Sequence, residues 1–101
     1  MKIEHIGLWV KDLEKMREFY ETYLNGVAGD LYHNKKTGFR SYFLTFDDGA
    51  TRLELMNKSD LKEGSAQNFG YAHIAYQVSD EHAVDALHQK LVNDGYKHIN
   101  G

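Results

Sequence analysis

"EHIGLWV" at residues 4–10 and "GYAHIAYQV" at residues 70–78 open two copies of one pattern. Both read as strands, rich in aliphatic and aromatic side chains. Each carries a histidine, His5 or His73, followed by isoleucine and then a small residue, with valine five places after the histidine. A titratable ring at the start of an otherwise apolar strand needs a reason.

After the first strand, spanning residues 2–10, Asp12 offers an N-cap. Leu13, Met16, Phe19, Tyr20, Tyr23 and Leu24 recur at helical spacing, and Asn25-Gly26 supplies the stop. Residues 27–33 make a weaker strand and "NKKTG" at 34–38 a turn. "FRSYFLTF" at 39–46 and "TRLELMN" at 51–57 are strands joined through "DDGA". The expected order is β-α-β-β-β. Residues 58–69 are polar and without period, and read as a linker. The pattern then restarts: strand 70–78, cap Asp80, stripe Ala83, Val84, Leu87 and Leu91, terminator "NDG" at 93–95, and a further strand beginning at "YKHI".

The two halves match at an offset of 68: His5 with His73, Ile6 with Ile74, Val10 with Val78, Asp12 with Asp80, Phe19 with Leu87, Tyr23 with Leu91 and Asn25 with Asn93. Any two β-α units resemble each other somewhat. A shared strand, cap, stripe and terminator make this a duplication. Residues 1–57 form one module, 58–69 a linker and 70–101 a partial second module within a single domain. Counterparts of strands 39–46 and 51–57 do not occur in the 101 residues. A longer chain or a partner is expected to supply them, because an unpaired sheet edge invites another strand.

Strand side chains alternate between faces. Ile6, Leu8 and Val10 share the face suited to a covering helix, as do Ile74, Tyr76 and Val78. His5 and His73 lie opposite, with Gly7 and Ala75 leaving room above them. In "TRLELMN", Leu53 and Leu55 belong to the helix side, so Glu54 projects the other way, beside Arg52 and Met56. A lone strand histidine is more often a satisfied or half-exposed residue than a ligand, and a lone strand glutamate usually faces water. Two repeat-related histidines with a carboxylate on the same face point instead to a divalent metal, Zn²⁺, Ni²⁺, Fe²⁺ or Mn²⁺. Tyr71, Trp9, Phe43 and Met56 are candidate walls of the site, with ordinary packing the plainer reading of each. Arg52 and Arg40 are candidates to bind a substrate carboxylate, with surface ion pairs as the plainer reading. His33, His82, His88 and His98 have no partner at matching spacing.

Composition narrows the alternatives. Net charge is −3 and no basic block occurs, which gives nucleic-acid binding no support. Cysteine is absent, excluding disulfides and thiolate chemistry. No segment reads as a signal peptide or membrane span, so a cytoplasmic protein with no membrane partner is expected.

"EHIGLWVKDLEKMREFYETYL", "SYFLTFDDGATRLELM" and "YAHIAYQVSDEHAVDALHQKLVNDG" together resemble the vicinal oxygen chelate superfamily, also called the glyoxalase/bleomycin resistance/dioxygenase family. The resemblance implies an α+β fold of paired βαβββ modules cupping a metal, here with a C-terminally incomplete second module. It implies metal ligands at His5, Glu54 and His73, with a fourth near position 122 by the offset. A ligating Glu54 is similar to the glyoxalase I pattern, whereas dioxygenases and fosfomycin-resistance enzymes use a two-His, one-Glu set. The implied function is a metal-dependent lyase or isomerase of a small α-oxo or α-hydroxycarbonyl compound, acting through an enediolate with Glu54 as ligand and candidate base. The resemblance also implies a homodimer. Another enzyme of the family, a dioxygenase or epimerase, and a metal-free small-molecule or antibiotic-binding protein are the alternatives.

Overall fold

In the first strand, β1 (His5–Trp9), exposure alternates as the side chains do: His5, Gly7 and Trp9 are open, and Ile6 and Leu8 are partly covered. The same alternation in β5 (Arg52–Asn57) buries Leu53 and Leu55 and leaves Glu54 and Met56 facing away. A computed structural model describes residues 1–47, 49–61 and 74–97. The chain divides into two units, 1–62 and 63–101.

In the first unit the order is β1, α1 (Leu13–Tyr23), β2 (Val27–Ala28), β3 (Tyr32–His33), β4 (Arg40–Thr45) and β5. The strand expected over 27–33 is thus two short pieces, both pairing with β4. The sheet runs β1-β5-β4-β2, with β3 also on β4. β4 and β5 form an antiparallel hairpin, closed at Gly49 (φ +64°), whose N–H donates to the Phe46 carbonyl. β1 runs parallel to β5. Such a pair cannot be joined by a tight turn, so the intervening chain includes a helix, which covers one face.

That helix is delimited locally. The Asp12 side chain accepts the Lys15 N–H at 3.1 Å, capping the first turn. At the other end Asn25 adopts φ +57°, and the Gly26 N–H reaches back to the Tyr20 carbonyl at 3.0 Å. This bond reaches back six positions, and the left-handed residue falls at the expected stop. Leu13 and Tyr20 of α1 are buried with Val10, Tyr42, Leu44, Leu53 and Leu55. Ile6, Leu8, Met16, Phe19 and Leu24 pack around this core. A polar tie crosses the same layer: the Tyr42 hydroxyl donates to Glu14 Oε1 at 2.6 Å, and Arg17 donates to Glu14 Oε2 at 2.9 Å. These bonds, first from Tyr42 and then from Arg17, hold the Glu14 carboxyl below its ordinary pKa. At the end of β5, Asn57 Nδ2 donates to the Val10 carbonyl and pins the β1–α1 corner.

In the second unit, α2 (Glu81–Asn93) starts at the expected place, with Asp80 Oδ1 accepting the Ala83 N–H at 2.8 Å. Ala83, Leu87 and Leu91 form its half-covered stripe, while Val84 is exposed. Its end corrects the repeat register. Asn93 is still helical, and the residue in the left-handed region is Gly95 (φ +98°), two places later than the offset from Asn25 predicts. A glycine takes that conformation without the Cβ penalty that Asn25 bears.

The strand expected at 70–78 is not seen over its described part: residues 74–78 lie outside any ladder, and Ile74 and Tyr76 are exposed. Residues 96–97 likewise form no strand; His98 and the rest of that expected strand lie outside the described residues. The physical reason is visible in the first unit, where β1 is a strand because β5 lies against it. No described strand of the second unit lies against residues 74–78 to offer a ladder. Unpaired N–H and C=O groups then gain nothing from the extended form.

Leu44 is fully buried at the sheet–helix interface. Leu44→Ala is expected to lower stability by about 2–5 kcal/mol in denaturant unfolding, against less than about 0.5 kcal/mol for Leu31→Ala at an exposed position. Tyr42→Phe removes the bond to Glu14 and is expected to cost about 1 kcal/mol near neutral pH, less than a buried charged bond because Glu14 meets water. Glu14 has a depressed pKa, so its contribution exists above the ordinary carboxylate range and disappears as pH falls. The difference between wild type and Tyr42→Phe should therefore shrink on acidification.

Candidate functional site

The parallel β1–β5 register sets His5 opposite Arg52, Gly7 opposite Glu54 and Trp9 opposite Met56. His5 and Glu54 are therefore diagonal neighbours on the face turned away from α1. His5 Nε2 lies 3.7 Å from Glu54 Oε1. The Glu54 side chain is only 16% exposed and that of His5 41%, so the acid sits at the base and the ring at the rim. Phe43, opposite Glu54 on β4, meets the His5 ring edge-on at 5.1 Å.

Around the ring is an arrangement that the sequence reading missed. Glu4 curls back so that its Oε1 accepts from His5 Nδ1 at 3.0 Å. Both Glu4 oxygens also accept from Arg52, through Nε at 2.8 Å and through Nη2. The bonds from Arg52 and then from His5 hold the Glu4 carboxyl at a pKa of about 2. Arg52 in turn lies over the Phe43 ring, its Cζ 4.1 Å from the centroid. The guanidinium expected as a possible substrate binder is thus engaged by the protein's own carboxylate. The one signal for Glu4 was its place immediately before His5, inside the strand expected over 2–10.

Other expected residues divide between the two faces. Trp9, Phe43 and Met56 lie on the candidate face, and Trp9 also stacks edge-on with Phe39 at 6.1 Å. Lys58 Nζ sits 5.2 Å from the Trp9 ring. Arg40 falls in register with Asn57 on the helix side, near Glu14, and does not join the site. The room expected above Gly7 is occupied: a Cβ there would sit 2.7 Å from the Met56 methyl group, so glycine lets Met56 lean across β1. His73 and Tyr71 lie outside the described residues. Among the described residues, no three His, Asp or Glu side chains form a group able to hold a metal. His5 and Glu54 are the two candidate ligands brought together. No described helix is long and apolar enough to cross a membrane.

A family model described as Glyoxalase/Bleomycin resistance protein/Dioxygenase superfamily matches residues 2–101. Among solved structures, the chain resembles a mutant of the fosfomycin resistance protein FosX from Listeria monocytogenes, complexed with Mn(II) and 1S,2S-dihydroxypropylphosphonic acid. That match has 22% identity, a TM-score of 0.74, and covers 97% of this chain and 72% of the other. It also resembles the trypanothione-dependent glyoxalase I of Leishmania major, at 21% identity and TM-score 0.75, covering 98% and 73%. A possible glyoxalase from Bacillus cereus matches at 26% identity and TM-score 0.68, covering 94% and 75%. No curated protein sequence matches the chain. The α+β architecture anticipated from the repeated stretches is the one these proteins share, and the chain belongs to the glyoxalase/bleomycin resistance protein/dioxygenase superfamily.

Proposed function

We propose that the protein is a metal-dependent lyase or isomerase of glyoxalase I type, acting on a small α-oxo or α-hydroxycarbonyl compound. The observation that carries this reading is the His5–Glu54 pair. Its 3.7 Å separation is shorter than two metal–ligand bonds of about 2.1 Å laid end to end, so one cation can touch both atoms. One imidazole nitrogen and one carboxylate oxygen suit Zn²⁺, Ni²⁺, Fe²⁺ or Mn²⁺. His73 is the third donor in this proposal. The Mn(II) of the FosX complex is consistent with such a centre on this fold.

A cation held by His5, Glu54 and His73 would supply Lewis acidity to the substrate's oxygens, easing loss of the proton on the hydroxyl-bearing carbon next to the carbonyl. Glu54 is the group placed to take that proton and return it to the adjacent carbon, an isomerisation with no net oxidation. Its recessed position, with Phe43 and Met56 beside it, limits water around the carboxylate and strengthens its interactions. The protein is proposed to work as a cytoplasmic homodimer.

The test is to purify the protein without chelator, measure bound metal, add Ni²⁺ or Zn²⁺, and follow exchange of the C–H proton of an α-hydroxyketone into D₂O. The expected result is a divalent ion bound by wild type and exchange lowered about 10²–10⁴-fold in Glu54→Gln. Full retention of both metal and exchange in Glu54→Gln would exclude an essential role for this residue. Bound Fe²⁺ with oxygen uptake would replace the reading with an oxygenase.

A further inference from the structure

The two nitrogens of the His5 ring have different neighbours. Nδ1 is 3.0 Å from Glu4 Oε1, and Nε2 faces Glu54 at 3.7 Å. A carboxylate only accepts hydrogen bonds. Both ring nitrogens face carboxylates, but only Nδ1 is within hydrogen-bond distance of one, so the neutral ring places its hydrogen on Nδ1 and leaves the Nε2 lone pair bare. A free imidazole side chain prefers the opposite arrangement, so something has to impose this one. Glu4 is itself held at both oxygens by Arg52, which stands opposite His5 in register and lies on the Phe43 ring. Phe43 also contacts the His5 ring edge. Glu4, Arg52 and Phe43 form a closed support around one imidazole.

We propose that Glu4, clamped by Arg52, is a positioning residue that fixes His5 with its hydrogen on Nδ1 and its Nε2 lone pair turned toward Glu54. The assignment of this tautomer stands on the hydrogen bonds alone; its consequence for metal binding rests on the function proposed above. The Glu4 side chain is 53% exposed, and exposed ion pairs contribute little to folding. The role of the clamp is thus to select a ring state. Carboxylates behind a metal-binding histidine act in this way, orienting the ring and raising its basicity.

The experiment is two-bond nitrogen–hydrogen correlation NMR of the histidine rings at mildly alkaline pH, with His5→Gln used to identify the His5 signals. Wild type is expected to show protonated Nδ1 and bare Nε2. In Glu4→Ala the population should shift toward the Nε2-protonated form, and Arg52→Met should shift it in the same direction with Glu4 still present. A wild-type His5 protonated on Nε2, or a tautomer indifferent to Glu4→Ala, overturns the proposal. Ni²⁺ titration of the same proteins gives the second readout, with affinity expected to fall about 10–100-fold in Glu4→Ala. Wild type that shows the Nδ1 tautomer yet binds no Ni²⁺ refutes the proposed metal centre and leaves the action of Glu4 on His5 in place.

Discussion

The parallel alignment of β1 against β5 is the constraint on which the first unit depends. It places the first strand beside the last one, closes the sheet over α1, and sets two polar side chains from distant parts of the chain on one surface. A slip of one residue would turn His5 toward the core and bring Ile6 out. The register is enforced from the apolar side, where Leu53 and Leu55 are almost completely buried beside Ile6 and Leu8. The geometry of the polar face is therefore a by-product of packing on the other. Asn57 secures the far end of the alignment, and the backbone bond from the Arg52 N–H to the Glu4 carbonyl its near end.

On that polar face, charge is arranged in two tiers. Arg52 and Glu4 neutralise one another at the rim, and Phe43 supports the guanidinium from below. Glu54 sits deeper, within reach of the imidazole. Separating the two carboxylates in this way gives them different tasks. The outer acid is already satisfied by Arg52, whereas the inner one has its Oε1 turned toward His5 Nε2. That difference makes the inner acid the better candidate for chemistry, because a group whose bonding capacity is spent on the scaffold has little left for a substrate.

Much of the fold was legible because the signals were local. Asp12 and Asp80 cap helices where a short acidic side chain precedes a helical stripe, and the alternation in "TRLELMN" assigned each side chain to its face. Placing His5 and Glu54 on one surface followed from parity alone. What parity cannot show is which diagonal neighbour a side chain bends toward. Glu4, by strict alternation, belongs to the opposite face; it reaches His5 only because it lies just before β1, where its side chain can turn around the end of the strand. The empty space expected above Gly7 failed for a related reason, since the flexible thioether of Met56 fills whatever gap a glycine leaves. The strand expected at 70–78 was read from its own residues and their match to the first strand, but extended backbone is stabilised by its neighbour as much as by its own residues, and 74–78 stay outside any ladder.

The hairpin between β4 and β5 is closed by a short turn, whereas β1 joins β5 across a separation of 47 residues in every register pair. Chain closure of that span costs more entropy than zipping the hairpin. Folding is thus biased to assemble the β4–β5 ribbon early and to admit the amino-terminal strand late. The histidine and the acid first meet at this late step. Any ion or small molecule gripping both would act as a clasp on the last-made contact, slowing the departure of β1 and coupling occupancy to resistance against unfolding.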